Sequence, residues 1–205
     1  QAANRWAQDN GEQSRALING EPTESTIALG TKGAIRFTLR TEARAAHSGY
    51  PHLGVSATMA LVRLLGELDA LELPEDPTLG PTTINVGSLT GGVADNVVAP
   101  WAEARLMARL VTPADELKAR VTAWVDGRAT VSWGEMVPLV RLGSVPGLPT
   151  SVAAYATDVP VLGAWGRPYL YGPGSIHVAH TDHEYVDEAE LRSAVEAYVR
   201  LGRGV

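Results

Sequence analysis

"GAIRFTLRTEARAAHSGYPHLGVSATMALVRLLGELDAL", residues 33–71, changes periodicity halfway along its length. Ile35, Phe37 and Leu39 alternate with polar residues, the period-two pattern of a half-buried strand. From Ser56 onward the apolar residues fall at helical spacing, and Ser56 is a natural N-cap for that helix. "ELPEDPTLGP" (72–81) reads as a loop, and "TTINVGSLTGG" (82–92) and "NVVAPWAEARLMARLV" (96–111) as two further strands. "TPADELKARVTAWVDG" (112–127) predicts a helix with Thr112 as cap, Pro113 at its first position and Glu116 completing a capping box. It closes on Gly127, as a helix C-terminus should. "ATVSWGEMVPLV" (129–140) is a last strand. Over residues 33–138 the order is strand–helix–strand–strand–helix–strand. That order is the split βαβ, ferredoxin-like unit, an antiparallel four-stranded sheet with two helices on one face. The helix from Ser56 and the strand after it are the expected subunit contact.

The flanking segments are of another kind. "ANRWAQ" (3–8) reads as the tail of a helix stopped by "DNGEQ" (9–13), and "RALIN" (15–19) as a short strand entering the turn "GEPTEST" (20–26). Residues 147–174 alternate a short helix-like piece with apolar strands in Gly/Pro-rich connections. "VDEAELRSAVEAYVRLG" (186–202) is a terminal helix, expected to end at Gly202. Neither residues 1–32 nor residues 139–205 make a complete domain. They read as two portions of one α/β domain interrupted by an α+β insert at 33–138.

With 45% hydrophobic and 20% charged residues among 205, the chain has the composition of a globular protein with a real core. A net charge of −6 and the lack of a basic stripe argue against a nucleic-acid partner. No membrane-length apolar run is present, so no membrane partner is expected. With no cysteine, disulfides and thiolate metal sites are excluded, and any metal must sit on His, Asp and Glu. The first residues carry no secretory signal pattern, so a cytoplasmic location is expected. The sequence opens inside a helix and without Met, as though something upstream were missing.

Three positions stand out for chemistry. Glu21 follows a strand in a Gly-Glu-Pro-Thr turn, His47 lies in a small-residue bend, and His180 precedes the last helix in "AHTDHEYV". A carboxylate and an imidazole at strand ends suit a borderline cation such as Zn²⁺. Each taken alone is more often a solvated turn residue or a surface histidine.

Their order and setting resemble those of a known family. "NGEPTEST…GTKGAIRFTLRTEARAAHSGYPHLGVSA", "GSLTGGVADNVVAPWAEARLMARL" and "ATDVPVL…GRPYLYGPGSIHVAHTDHEYV" are similar to segments of the dinuclear zinc amidohydrolases. That family includes acetylornithine deacetylase, succinyl-diaminopimelate desuccinylase, aminoacylase and glutamate carboxypeptidase. The resemblance runs from about residue 15 to 201. It implies an α/β catalytic domain carrying two zinc ions (cobalt or manganese in their place), interrupted by a ferredoxin-like dimerisation or lid domain, in a homodimer. It further implies Glu21 as ligand to one metal and His180 as ligand to the other. His47 would reach, often from the partner subunit, to the scissile carbonyl and its oxyanion. Asn96 and Arg109 would hold the substrate carboxylate, a task suited to the planar guanidinium fork. Arg105 shares a strand face with Arg109 and competes for that role. Backbone N–H groups around Gly174 and Ser175 would donate to the same substrate. His52, His177 and His183 receive no role.

The family's HxD segment, bridging Asp and Glu-Glu pair lie upstream of GEPT, and nothing before residue 21 supplies them. One carboxylate and one imidazole cannot hold two zinc ions, and the catalytic base is missing. The chain alone is therefore expected to be inactive. The intact enzyme is expected to hydrolyse amides of N-acyl amino acids, with a dipeptidase or carboxypeptidase as the alternative. The reading from another class is a non-catalytic dimerisation or ligand-binding remnant.

Overall fold

The computed structural model describes residues 2–10 and 14–205. In chain order its elements begin with α1 (Ala2–Asp9), β1 (Ala16–Asn19), β2 (Ile27–Thr31), β3 (Gly33–Glu42), β4 (Ala46–His47) and α2 (Ala57–Leu65). Next come β5 (Glu75–Asp76), β6 (Gly80–Pro81), β7 (Thr83–Gly91), β8 (Val97–Val98), β9 (Trp101–Leu110) and α3 (Ala114–Val125). The last are β10 (Thr130–Val137), β11 (Val140–Arg141), β12 (Thr150–Ala153), β13 (Arg167–Leu170) and α4 (Glu188–Gly204). The end of "DNGEQ", read as a helix stop, lies outside the described residues. The chain divides into two compact units, one of residues 1–32, 77–79 and 139–205, the other of 33–76 and 80–138. Pro77–Leu79, expected inside the insert, thus belongs with the flanking segments.

The insert unit is built on an antiparallel sheet in the order β10-β3-β9-β7, the ferredoxin-like arrangement. β3 and β9 pair without a break from Gly33–Leu110 to Glu42–Trp101, so alternate residues of both strands share a face. On one face Ile35, Phe37, Leu39, Ala104 and Leu106 form a dry core. Leu61 and Leu64 of α2 and Leu117, Val121 and Val125 of α3 cover it at helical spacing. Burying a side chain of the size of Phe37 contributes about 3 kcal/mol, so five or six such residues set the stability of this unit. The opposite face carries the polar set that includes Arg36, Arg40, Arg105 and Arg109, with Arg40 over the Trp101 ring at 5.3 Å.

Ser56 caps α2 as expected, accepting the Met59 N–H at 3.2 Å. The helix is shorter than its periodicity predicts, giving way at Gly66 to a 3-10 turn at Leu68–Ala70. The capping box at α3 does not form. Pro113, with φ −52° and ψ 140°, is extended and itself takes the flanking position, without any side-chain cap. Thr112 is thereby pushed out of capping register, and the Glu116 carboxylate turns to Arg120 at 3.2 Å. At the other end Asp126 and Gly127 are both left-handed and stop the helix.

The second unit is assembled from short parallel and mixed pairings. β1 lies parallel to β13, and β2 sits between antiparallel β11 and parallel β12. Ala194, Ala197 and Leu201 of α4 pack with Ile27, Tyr169 and Tyr171. This helix continues past Gly202 to Gly204, because Gly202 keeps an ordinary helical backbone and does not adopt the left-handed turn that would end it.

Candidate functional site

The GEPT turn and the YGPGS turn, about 150 residues apart in sequence, are locked together. The Thr23 side chain is buried and accepts the Gly172 N–H at 3.0 Å, while the Thr23 N–H donates to the Gly172 carbonyl at 3.2 Å. The Glu24 N–H donates to the Gly174 carbonyl at 2.8 Å, and the Ser175 hydroxyl donates to Glu24 Oε1 at 2.8 Å. Gly172 lies so close to the Glu21 carbonyl that a Cβ there would collide with it. Non-glycine left-handed residues are uncommon. Of the four among the described residues, Glu24 and Ser25 directly follow the GEPT turn, and His180 lies five residues beyond Ser175. Strain of this kind, about 1–3 kcal/mol per residue, persists where surrounding bonds over-determine the backbone, and it gathers at functional sites.

Glu21 emerges from this clasp half-buried, beside two residues that the sequence reading did not single out. Burial raises the pKa of its carboxyl, and the negative charge of Asp158 raises it further. Asp158 is held by the Asn19 side-chain amide at 3.4 Å. The Tyr155 hydroxyl donates to the Pro22 carbonyl at 3.1 Å, and burial together with the Glu21 charge pushes its pKa up to about 12. The signal for both lay in the stretch around "ATDVPVL", which carries the family resemblance but was given no role. The negative charge beside the Glu21 carboxyl makes this a position where a cation is favoured.

His180 is exposed, five residues beyond the YGPGS turn, with φ +62°. No group of three or more His, Asp or Glu able to hold a metal ion forms among the described residues. Glu21 and His180 therefore do not constitute a metal centre by themselves. Substrate contact through the GPGS backbone does not hold in the form expected at Gly174. Its N–H is already taken by Glu190 Oε2 at 3.0 Å. The adjoining cavity of about 330 Å³ is lined by Glu24, Asp187 and Glu190, which oppose an anionic ligand next to Ser175.

In the insert unit the structure brings His47 and Asn96 together. β4 pairs with β8 through His47–Val97, and the Ser48 N–H donates to the Asn96 carbonyl at 2.9 Å. The Gly49 N–H donates to His47 Nδ1 at 3.1 Å. With Nδ1 accepting, the proton of the neutral ring resides on Nε2, the more distant nitrogen, which is then a hydrogen-bond donor. Gly49, not singled out from sequence, orients the ring; a Cβ there would lie 3.2 Å from Nδ1.

Arg109 is elsewhere. It pairs across the sheet with Ala34 and Thr83, whereas the His47 loop joins the sheet at the Glu42–Trp101 end. Eight strand residues separate Trp101 from Arg109, about 27 Å. His47 and Asn96 therefore cannot meet Arg109 on one small carboxylate within a single copy. Arg105 and Arg109 do share the open face, but they differ in company. Arg105 is paired with Glu103 at 3.3 Å, while Arg109 has no hydrogen bond or ion pair among the described residues.

The insert unit thus offers an imidazole whose Nδ1 is engaged and an Arg109 guanidinium without a partner among the described residues, and the α/β unit offers a half-buried carboxylate beyond a strand end. Residues 29–130 match the M20 peptidase dimerisation domain. The chain belongs to the M20 peptidase family. A probable carboxypeptidase of Aspergillus terreus is 42% identical over 213 residues, covering 91% of this chain and 49% of the relative. A peptidase M20 domain-containing protein of Schizosaccharomyces pombe is 37% identical over 187 residues, covering 90% and 47%. The chain thus spans about half the length of the curated relatives it matches. Among solved structures, aminopeptidase PepT of Bacillus cereus shares the fold, with a TM-score of 0.69 at 18% identity over 94% of this chain and 57% of that one. No helix among the described residues is long and apolar enough to cross a membrane.

Proposed function

We propose that this chain serves the hydrolysis of an amide bond next to a free carboxylate, in a short peptide or an N-acyl amino acid. The observation that carries the reading is the His47 loop. Its Gly49–Nδ1 hydrogen bond leaves Nε2–H as a preset donor for an oxyanion. Arg109, with its fork free, anchors the carboxylate. Several curated relatives carry the name probable carboxypeptidase, which supports peptides as the first substrate class, with N-acyl amino acids second.

The separation of His47 from Arg109 supports a homodimer in which one copy's His47 and Asn96 act at the other copy's site. Exposed Met59 and Val62 of α2, with Val86 and Leu89 of the edge strand β7, supply an apolar face for that association. Glu21 and His180 contribute one donor each toward a bound cation.

Two substitutions of one residue, made in the full-length protein to which the chain is expected to belong, test the reading in a hydrolysis assay with a dipeptide and an N-acetyl amino acid. His47→Gln keeps a donor near the position of Nε2, whereas His47→Asn keeps an acceptor for the Gly49 N–H but is too short to place a donor where Nε2 stands. The asparagine variant should lose about 10²-fold or more in kcat, as for removal of one oxyanion donor, and the glutamine variant distinctly less. Equal losses would show that His47 acts through its position in the loop and not as a donor. No hydrolysis of either substrate by the parent protein would favour the non-catalytic reading.

A further inference from the structure

The cavity lined by Pro22, Thr26, Val152, Ala154, Tyr155 and Ile176 has no role in the reading above, yet Pro22 and Tyr155 join it to the Glu21 turn. Its volume is about 210 Å³. Sites for drug-sized ligands run to roughly 300–1,000 Å³, so this one suits a single side chain.

Its wall hydroxyls are already engaged with one another or with backbone. Thr23 donates to the Thr26 carbonyl at 2.6 Å and accepts from Gly172, Thr26 and Ser151 bond each other, and Tyr155 donates to Pro22. What the walls present inward is the methyl and ring surface of Val152, Ala153, Ala154, Ile176 and Tyr155. Ionisable lining is confined to Glu24 and His177, whose side chains are 61% and 83% exposed and 4.0 Å apart.

We propose that this cavity is a side-chain specificity pocket that receives a small branched aliphatic group of the substrate, valine or leucine in size. The assignment of its occupant as substrate rests on the hydrolytic reading; the apolar selectivity stands on the cavity walls. A polar group of the same shape would have to displace the hydrogen bonds already made by the wall hydroxyls or reach the exposed Glu24 and His177, which should weaken binding by about tenfold or more.

The test is a methyl and amide NMR titration of the 205-residue chain with two neutral, nearly isosteric probes, N-acetyl-leucine methylamide and N-acetyl-asparagine methylamide. The leucine probe should shift Val152, Ala153, Ala154 and Ile176, and the asparagine probe should bind at least about tenfold more weakly. Ala154→Trp, which fills the space from an exposed position, should abolish the leucine response while leaving the remaining spectrum unchanged. Equal binding of the two probes, leucine-induced shifts elsewhere, or no response at these residues would overturn the proposal, and none of these outcomes depends on the variant folding. Leucine-selective binding by the chain, with the full-length protein hydrolysing neither substrate class, would leave the pocket standing and remove the hydrolytic reading. Hydrolysis without side-chain preference, with the pocket silent, would do the reverse.

Discussion

The two units of this chain reach their folds by different routes. The insert is nearly continuous in sequence, and a single alternating core unites β3, β7, β9, α2 and α3. The flanking unit joins three separated segments through short pairings, and its strain and its candidate ionisable residues lie in turns. Stability in the first should therefore depend on side-chain volume, and in the second on backbone fit. Phe37→Ala is the sharpest way to break the first half of that contrast. Phe37 is 2% exposed and its ring centroid lies 5.0 Å from that of Trp133. Removing the ring should cost about 3–5 kcal/mol, read by urea denaturation with amide signals of the insert unit as the probe. A loss under 1 kcal/mol would show that this core collapses to fill the space.

Gly172→Ala tests the other half. One methyl group is added, no contact is removed, and a left-handed φ is not involved, because Gly172 has none. The new Cβ would nonetheless collide with the Glu21 carbonyl, so the Thr23–Gly172 clasp must open or shift. The expected cost is about 1–3 kcal/mol, confined to amide signals of the flanking unit. A neutral outcome would mean that the clasp is looser than its hydrogen bonds imply.

What the sequence revealed follows the same division. The insert's strands and helices were legible because each buries one face, and burial writes a period of 2.0 or 3.6 directly into the chain. The candidate residues of the turns were legible as types, but their partners were not. Nothing local to Glu21 announces Asp158 or Tyr155, more than 130 residues later. The Gly-Pro-Gly turn read as a substrate-facing donor, yet Gly174 donates to Glu190 from the first turn of α4, a pairing set by how that helix packs. Likewise, Asn96 and Arg109 are both thirteen residues or fewer apart in sequence and were read as one carboxylate clamp, while strand geometry carries them to opposite ends of a sheet.

The smallest effect separates two helix starts that look alike in sequence. Ser56 and Thr112 both precede a helical pattern, and both are residue types that favour the cap. Ser56 is extended at φ −82° and ψ 109°, and its hydroxyl receives the Met59 N–H. At α3 the cap position belongs to Pro113, whose fixed φ places the chain reversal one residue later and leaves Thr112 outside the helix. Ser56→Ala should thus cost about 1 kcal/mol, whereas Thr112→Ala should stay within about 0.5 kcal/mol of the parent. Paired urea melts of the two variants measure the difference directly. Equal losses would place Thr112 back in a capping role, with a frayed Pro113 turn as the reason.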